Sequence, residues 1–311
     1  MAVNNEASRG AHTSAPGARG RVLGFAGFRR SVTDLARSVA FYCDGLGFVP
    51  DAMESEGRSP GGVAMFAVPG IRSARLRLGA QAIELVEHPV ATWSRSAPGA
   101  IDTGFQHLAI VAGDLAAAHA RLMACAPTTL TRGAVPVRLP ESAGGVGAFK
   151  FLDPDGHPLE LIHFPPGSGD AMWQQPLPGA VLTLGIDHSA IVVADVARRI
   201  AFYCDGLGFT VEARQVNRGP AQERLDGLDR AVIDVVALRP AGDATPHLEL
   251  LGYGVPAPHR ASSNPWADQI LWWADDPQAI ADRVGQRATP FQVELRDPDG
   301  HLHLLYNPIS G

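Results

Sequence analysis

The chain has only three cysteines among its 311 residues, Cys43, Cys125 and Cys204, and no two of them stand at CxxC spacing. That excludes a disulfide framework and a zinc-finger site, and it fits a reducing compartment. Long apolar runs are also missing, since no segment approaches the ~20 residues a membrane-spanning helix needs. Met1–Gly20 has no apolar stretch of signal-peptide length and reads as a disordered tail, so a cytoplasmic location is expected. Basic residues are in deficit, with 26 Lys and Arg against 32 Asp and Glu for a net charge of −6 (26 − 32). No basic stripe for nucleic acid and no polybasic patch for a membrane surface follow from that balance. The expected partner is a small molecule or a second copy of the chain, and both monomer and homodimer stay open. Phosphate loops and nucleophile elbows are absent as well.

What is present is repetition. Ala40–Phe48 reads AFYCDGLGF, and Ala201–Phe209 reads AFYCDGLGF again. The pentapeptide DPDGH recurs in the same order, at Asp153–His157 and Asp297–His301. Identities of this length inside one chain mark an internal duplication. Ahead of each long copy, Leu35, Val39 and Tyr42, or Val196, Ile200 and Tyr203, fall at i, i+4, i+7 and line one helix face. Asp34 and Asp195 stand where a short carboxylate caps the first turn, and the Gly-Leu-Gly exit swings the chain into a strand. Weaker copies of strand and Asp-capped helix occur at Phe105–Leu122, capped by Asp114, and at Asp268–Val284, capped by Asp276. The chain therefore reads as four modules, each with one helix set among antiparallel strands in the order βαβββ.

With 46% apolar and 19% charged residues, the composition is that of an ordinary globular protein with room for two cores. The expected class is α+β, four βαβββ modules in two pairs, each pair a curved mixed sheet enclosing a cup. The expected division is a tail over residues 1–20, a first domain over 21–165, a Pro/Gly-rich linker over 166–182 and a second domain over 183–311.

The four modules, the FYCDGLGF stretches and the DPDGH turns together resemble the vicinal oxygen chelate superfamily, which includes glyoxalase I, bleomycin-resistance proteins and extradiol ring-cleaving dioxygenases. The resemblance covers nearly everything after residue 20. It implies a divalent metal (Fe, Mn, Ni, Co or Zn) in a cup, held by residues of the first and last strands of each paired module. Counting seven residues back from the capping aspartates gives Gly27, His107, His188 and Gln269. On the last strands the matching positions are Glu84, Glu160, Glu249 and Leu304. The expected sets are thus Glu84, His107 and Glu160 in the first half, and His188, Glu249 and Gln269 in the second.

Each glutamate stands between apolar neighbours, as in LEL, and period-2 alternation sends it to the opposite sheet face. If helices cover the leucine face, the glutamates point into the cup. Glu160 or Glu84 is the expected proton-shuttling base, and two carboxylates facing one cavity make the first-half set the stronger cation trap. Arg29, two residues beyond Gly27, could pair with Glu84 or Glu160 in place of a metal, hold an anionic substrate, or sit in water at the rim. His247 shares a face with Glu249 and could be an extra ligand, a general base or a rim histidine. Trp273 shares a face with Gln269 and could wall an apolar pocket or serve packing alone. His157 and His301 are read as turn residues.

The implied function is a metal-dependent lyase or isomerase of glyoxalase type acting on a small oxygen-bearing molecule. An extradiol dioxygenase and a non-enzymatic drug-binding or resistance protein are the alternatives.

Overall fold

The computed structural model describes residues 20–51, 72–88, 99–175, 181–242, 245–254, 268–287 and 293–308. The expected tail up to residue 19, linker residues 176–180 and most of the loop at 254–264 lie outside the described residues. All four capping aspartates act as the sequence requires. The side chains of Asp34, Asp114, Asp195 and Asp276 each accept a hydrogen bond from the backbone amide three residues on, at 3.0 Å.

The first module contributes β1 (Val22–Val32), α1 (Leu35–Ala40), β2 (Val49–Pro50), β3 (Ser73–Leu78) and β4 (Gln81–Glu87). From the second come β5 (Gln106–Ala112), α2 (Leu115–Met123), β6 (Thr128–Thr129), β7 (Val137–Arg138), β8 (Gly147–Leu152) and β9 (Pro158–His163). The third holds β10 (Thr183–Val192), α3 (Val196–Ala201), β11 (Thr210–Arg218), α4 (Pro220–Asp226), β12 (Val232–Arg239) and β13 (His247–Gly252). In the fourth are β14 (Gln269–Ala274), α5 (Pro277–Val284), β15 (Val293–Arg296) and β16 (Leu302–Tyr306). The expectation of a lone helix per module fails at α4, which is announced by Pro220 at its start and Gly227, at φ +67, at its end.

Two mixed sheets result. One has seven strands in the order β15-β16-β14-β1-β4-β3-β2, the other nine along β11-β12-β13-β10-β5-β9-β8-β6, with β7 paired to β8. The sheets therefore join the first module to the fourth and the second to the third. This corrects the expected pairing of neighbours within each half, 21–165 and 183–311.

The physical reason lies in the repeated motifs. Each AFYCDGLGF stretch continues its helix as a π-turn, over Phe41–Gly45 and Phe202–Gly206, which drives a tyrosine into the interior. Tyr42 Oη donates to Asp153 Oδ2 at 2.9 Å, and Tyr203 Oη to Asp297 Oδ2 at 3.0 Å. Each partner is the first aspartate of the DPDGH turn in the following module. The turn histidines add to this clasp, because His157 Nε2 lies 2.6 Å from the Ser31 carbonyl and His301 Nε2 lies 3.0 Å from that of Val192. The first module is thus held to the second, and the third to the fourth, helix to turn between the two sheets rather than strand to strand within one.

Apolar faces explain the rest. Phe28, Ile83, Leu108, Leu159, Ile186, Leu250, Ile270 and Leu305 belong to one buried cluster with helix residues Leu35, Leu122 and Ile280, so both sheets turn their leucine faces to a shared helical core. Glu84, Glu160 and Glu249 consequently point the other way, into the cups.

Candidate metal centre

Strands β5 and β10 run antiparallel at the middle of the nine-stranded sheet. His107 is opposite Ala190 and His188 is opposite Ala109. The parallel neighbours place Glu160 beside Ala109 and Glu249 beside Ala190. Four ligand-type side chains therefore surround two alanines, whose methyl groups leave the space between them open.

His107 Nε2 lies 2.8 Å from Glu160 Oε2, and His188 Nε2 lies 3.5 Å from Glu249 Oε2. Ligand atoms of His107, Glu160 and His188 all fall within 4.8 Å of one another. The halves thus share their residues, and the expected separate sets, Glu84 with His107 and Glu160, and His188 and Glu249 with Gln269, are corrected. Gln269 and Glu84 belong to the other cup.

Asp187 is the residue that sequence reasoning missed. Strict alternation turns it away from His188, but the register between β10 and β5 slips between Ile186 and His188, inserting one residue as a β-bulge. Both residues then line the same cavity. Asp187 Oδ2 lies 2.8 Å from His188 Nδ1, while its Oδ1 accepts from Trp173 Nε1 at 2.6 Å. A carboxylate behind an imidazole fixes the tautomer and leaves Nε2 facing the cup. The one available signal was the acid-histidine neighbour pair itself. His247 lies 3.7 Å from Glu249 Oε1 through Nε2 and 4.0 Å from Asp187 Oδ2 through Nδ1.

Electrostatics tie the group together. Burial pulls His107 down, and the opposing pull of Glu160 does not make up the difference, so this imidazole is neutral near pH 7. Burial also acts against the charged form of His188, but the Glu249 charge and the Asp187 hydrogen bond raise it to about 9. Glu249 is raised by burial and brought down to about 2, chiefly by His188. Glu160 is likewise held below its ordinary value, mainly by the Lys150 charge and by His107 against the cost of burial.

The residues fit a divalent ion. His107 is 2% exposed, and among the described residues its Nδ1 has no hydrogen-bond partner while its Nε2 lies 2.8 Å from Glu160 Oε2. Two imidazoles and two carboxylates facing one space offer the nitrogen and oxygen donors that an Fe, Mn, Ni, Co or Zn ion takes. They line a cavity of about 630 Å³.

In the seven-stranded sheet the equivalent positions are filled differently. Gly27 is opposite Leu271, which is beside Leu304, while Arg29 is opposite Gln269 and beside Glu84. Arg29 Nε donates to Glu84 Oε2 at 2.7 Å and Nη1 to Gln269 Oε1 at 3.2 Å. Among the three readings of Arg29, the pairing with Glu84 is the one observed. Trp273 packs edge-on against Tyr306, beside Leu271 and Leu304, in this cup and away from the metal-type ligands.

Two curved mixed sheets, with candidate ligands on the first and last strands of one, define a glyoxalase-like fold, and the comparisons agree on that fold. The model of the Glyoxalase/Bleomycin resistance protein/Dioxygenase superfamily matches residues 24–161 and 185–305, and the chain belongs to that superfamily. No curated protein sequence matches it. Among solved structures, glyoxalase I of Zea mays superposes with a TM-score of 0.57 at 20% identity, covering 93% of this chain and 92% of that one. A point variant of the maize enzyme gives 0.58 at 20%, covering 93% and 94%. A candidate dioxygenase from Bacillus subtilis gives 0.56 at 15%, covering 94% and 87%. At these identities the likeness concerns the fold. Among the described residues, no helix is long and apolar enough to cross a membrane.

Proposed function

We propose that the protein is a divalent-metal-dependent enzyme of glyoxalase type, a lyase or isomerase acting on a small molecule with two neighbouring oxygens. The observation that carries this reading is the convergence of His107, Glu160, His188 and Glu249, drawn from two modules, in a single cup. When bound, the ion would supply a Lewis acid for the substrate oxygens. Asp187 holds His188 in the tautomer that presents Nε2. Apolar walls such as Val146, Ile162 and Val235 keep water from the reacting carbon. His247, beside Glu249 and on the cavity wall, is placed to accept and return a proton. Glu160 remains a candidate base, whereas Glu84, in the other cup beside Arg29, does not reach this chemistry.

A dioxygenase is the second reading, favoured by the compact trio His107, Glu160 and His188, which has the two-histidine, one-carboxylate composition of non-haem iron sites. Glu249 weighs against it, since such a site would be held by three protein residues and here a fourth candidate ligand faces the same space. The drug-binding alternative loses its main support, because the ligands that each half lacks are supplied across the sheet. Metal analysis after reconstitution is the test, with about one divalent ion per chain expected. No retained metal sinks both enzyme readings. Oxygen uptake by an iron-loaded sample would favour the dioxygenase.

A further inference from the structure

The same cavity holds a polar group besides the candidate metal ligands. On its wall Lys150, 5% exposed, directs Nζ to Asp226 Oδ1 at 2.6 Å. Asp226 is the last residue of α4, the helix inserted in the third module. Its other oxygen accepts from Gln222 Nε2 at 2.7 Å, one helical turn back. A carboxylate only accepts, so this bond fixes which end of the Gln222 amide carries nitrogen. The amide oxygen is therefore turned from Asp226. Gln222 is 3% exposed and lines the cavity, and its Oε1 has no hydrogen-bond partner among the described residues. A buried acceptor in that state costs free energy until a donor reaches it.

We propose that Lys150 and Gln222 form a hydroxyl-binding subsite in the metal cup, where a ligand O–H accepts from Lys150 Nζ and donates to Gln222 Oε1. The chemistry of the pair selects the group. An ammonium offers protons and an amide oxygen offers a lone pair, so only a group with both satisfies the two at once. Ethers lack the proton for Gln222. A carboxylate lacks it too, and would sit against Asp226. A ligand ammonium would face Lys150. Leu225, Ile233 and Val235 line the same cavity, so the class is a largely apolar alcohol or phenol. This rests on the cavity being the ligand cup, but it does not require the metal.

The test is a calorimetric titration of the metal-depleted full chain with phenol, anisole and toluene. Phenol is expected to bind at least about fivefold tighter than anisole, the worth of one added buried hydrogen bond. Gln222→Met should shrink that ratio to below about twofold. The double variant Lys150→Met with Asp226→Leu, which removes both charges together, should do the same. Equal affinities for phenol and anisole in the unaltered protein, or no measurable phenol binding, overturn the proposal whether or not the variants fold. So does an undiminished ratio in a Gln222→Met protein that melts normally. Repeating the titration with metal restored keeps the outcomes separable, because failure to retain metal refutes the enzyme reading without altering the phenol-to-anisole ratio.

Discussion

The two cups come from one duplicated plan and reach opposite solutions. In the nine-stranded sheet the positions beside the ligands are Ala109 and Ala190, and four side chains with lone pairs face the space these alanines leave. In the seven-stranded sheet the same two positions are Leu271 and Arg29, while the ligand positions on β1 and β16 are Gly27 and Leu304. Leu271 fills its share of the space, and the Arg29 guanidinium lies where it neutralises Glu84 and meets Gln269. One cup presents a candidate site for an exchangeable cation, and the other has a cation built into the chain. A carboxylate buried in a cup is the physical problem common to both, and either a metal or an arginine answers it.

The sharpest way to break this comparison is to remove ligands from one cup alone. His107→Ala, His188→Ala and Glu160→Gln should each lower metal affinity by about 1,000-fold or more, enough for the protein to emerge from gel filtration free of metal. Equal losses are expected for His107 and His188, because they serve one site. That differs from the sequence expectation of a stronger first-half set. Retention of metal by His188→Ala, with loss in His107→Ala, would mean that the two histidines belong to separate sites.

Arg29→Met probes the other cup. Glu84 is 1% exposed and keeps its charge buried when the guanidinium is taken away. The expected cost is about 3 kcal/mol, read by chemical denaturation, with metal content unchanged. Arg29→Met paired with Glu84→Leu should recover most of that loss, since no charge is then left without its partner. An Arg29→Met protein that gains a second metal ion would show that the cups remain interchangeable.

Much of this was legible in the sequence. Helix starts followed from the four aspartates, sheet faces from the glutamates between leucines, and the two candidate histidines from counting back to the caps. The pairing of modules was not legible, because AFYCDGLGF and DPDGH recur in chain order while the contact they encode, tyrosine to aspartate, packs helix on turn and says nothing of strand neighbours. Asp187 stayed hidden for a local reason. A one-residue bulge reverses the side-chain alternation on which the reading of that strand depended, and neither Ile186 nor His188 advertises it. Gln222 and Lys150 were invisible for a third reason, since each is ordinary alone and they meet only through a helix inserted between two strands of another module.

The smallest expected effect concerns pH, and it separates a cup with an exchangeable cation from one with a fixed charge. Without metal, Glu249 and Asp187 hold the His188 proton up to about pH 9 against the pull of burial, compared with 6.5 for an ordinary imidazole. The stability this contributes is complete below about 6.5 and is lost as pH rises through about 9. Glu249, down at about 2 from 4.5, contributes above 4.5 and loses its share only as pH falls through about 2. A metal needs the lone pair on His188 Nε2, so binding near pH 7 must expel that one proton. His107, held neutral by burial, has none to give. Affinity for Co²⁺ should therefore rise about tenfold per pH unit from 6.5 to 8, with about one proton released per ion. Calorimetry in two buffers of different ionisation enthalpy counts it directly. The melting-temperature gain on adding Co²⁺ should widen over the same range, because the metal-free state loses stability while the loaded state, with His188 already deprotonated, stays level. In the other cup the Arg29–Glu84 pair contains no histidine, so the cost of Arg29→Met should stay flat across these pH values. Zero protons released would show that His188 is already neutral in the empty cup, and that its contacts with Asp187 and Glu249 orient the ring without charging it.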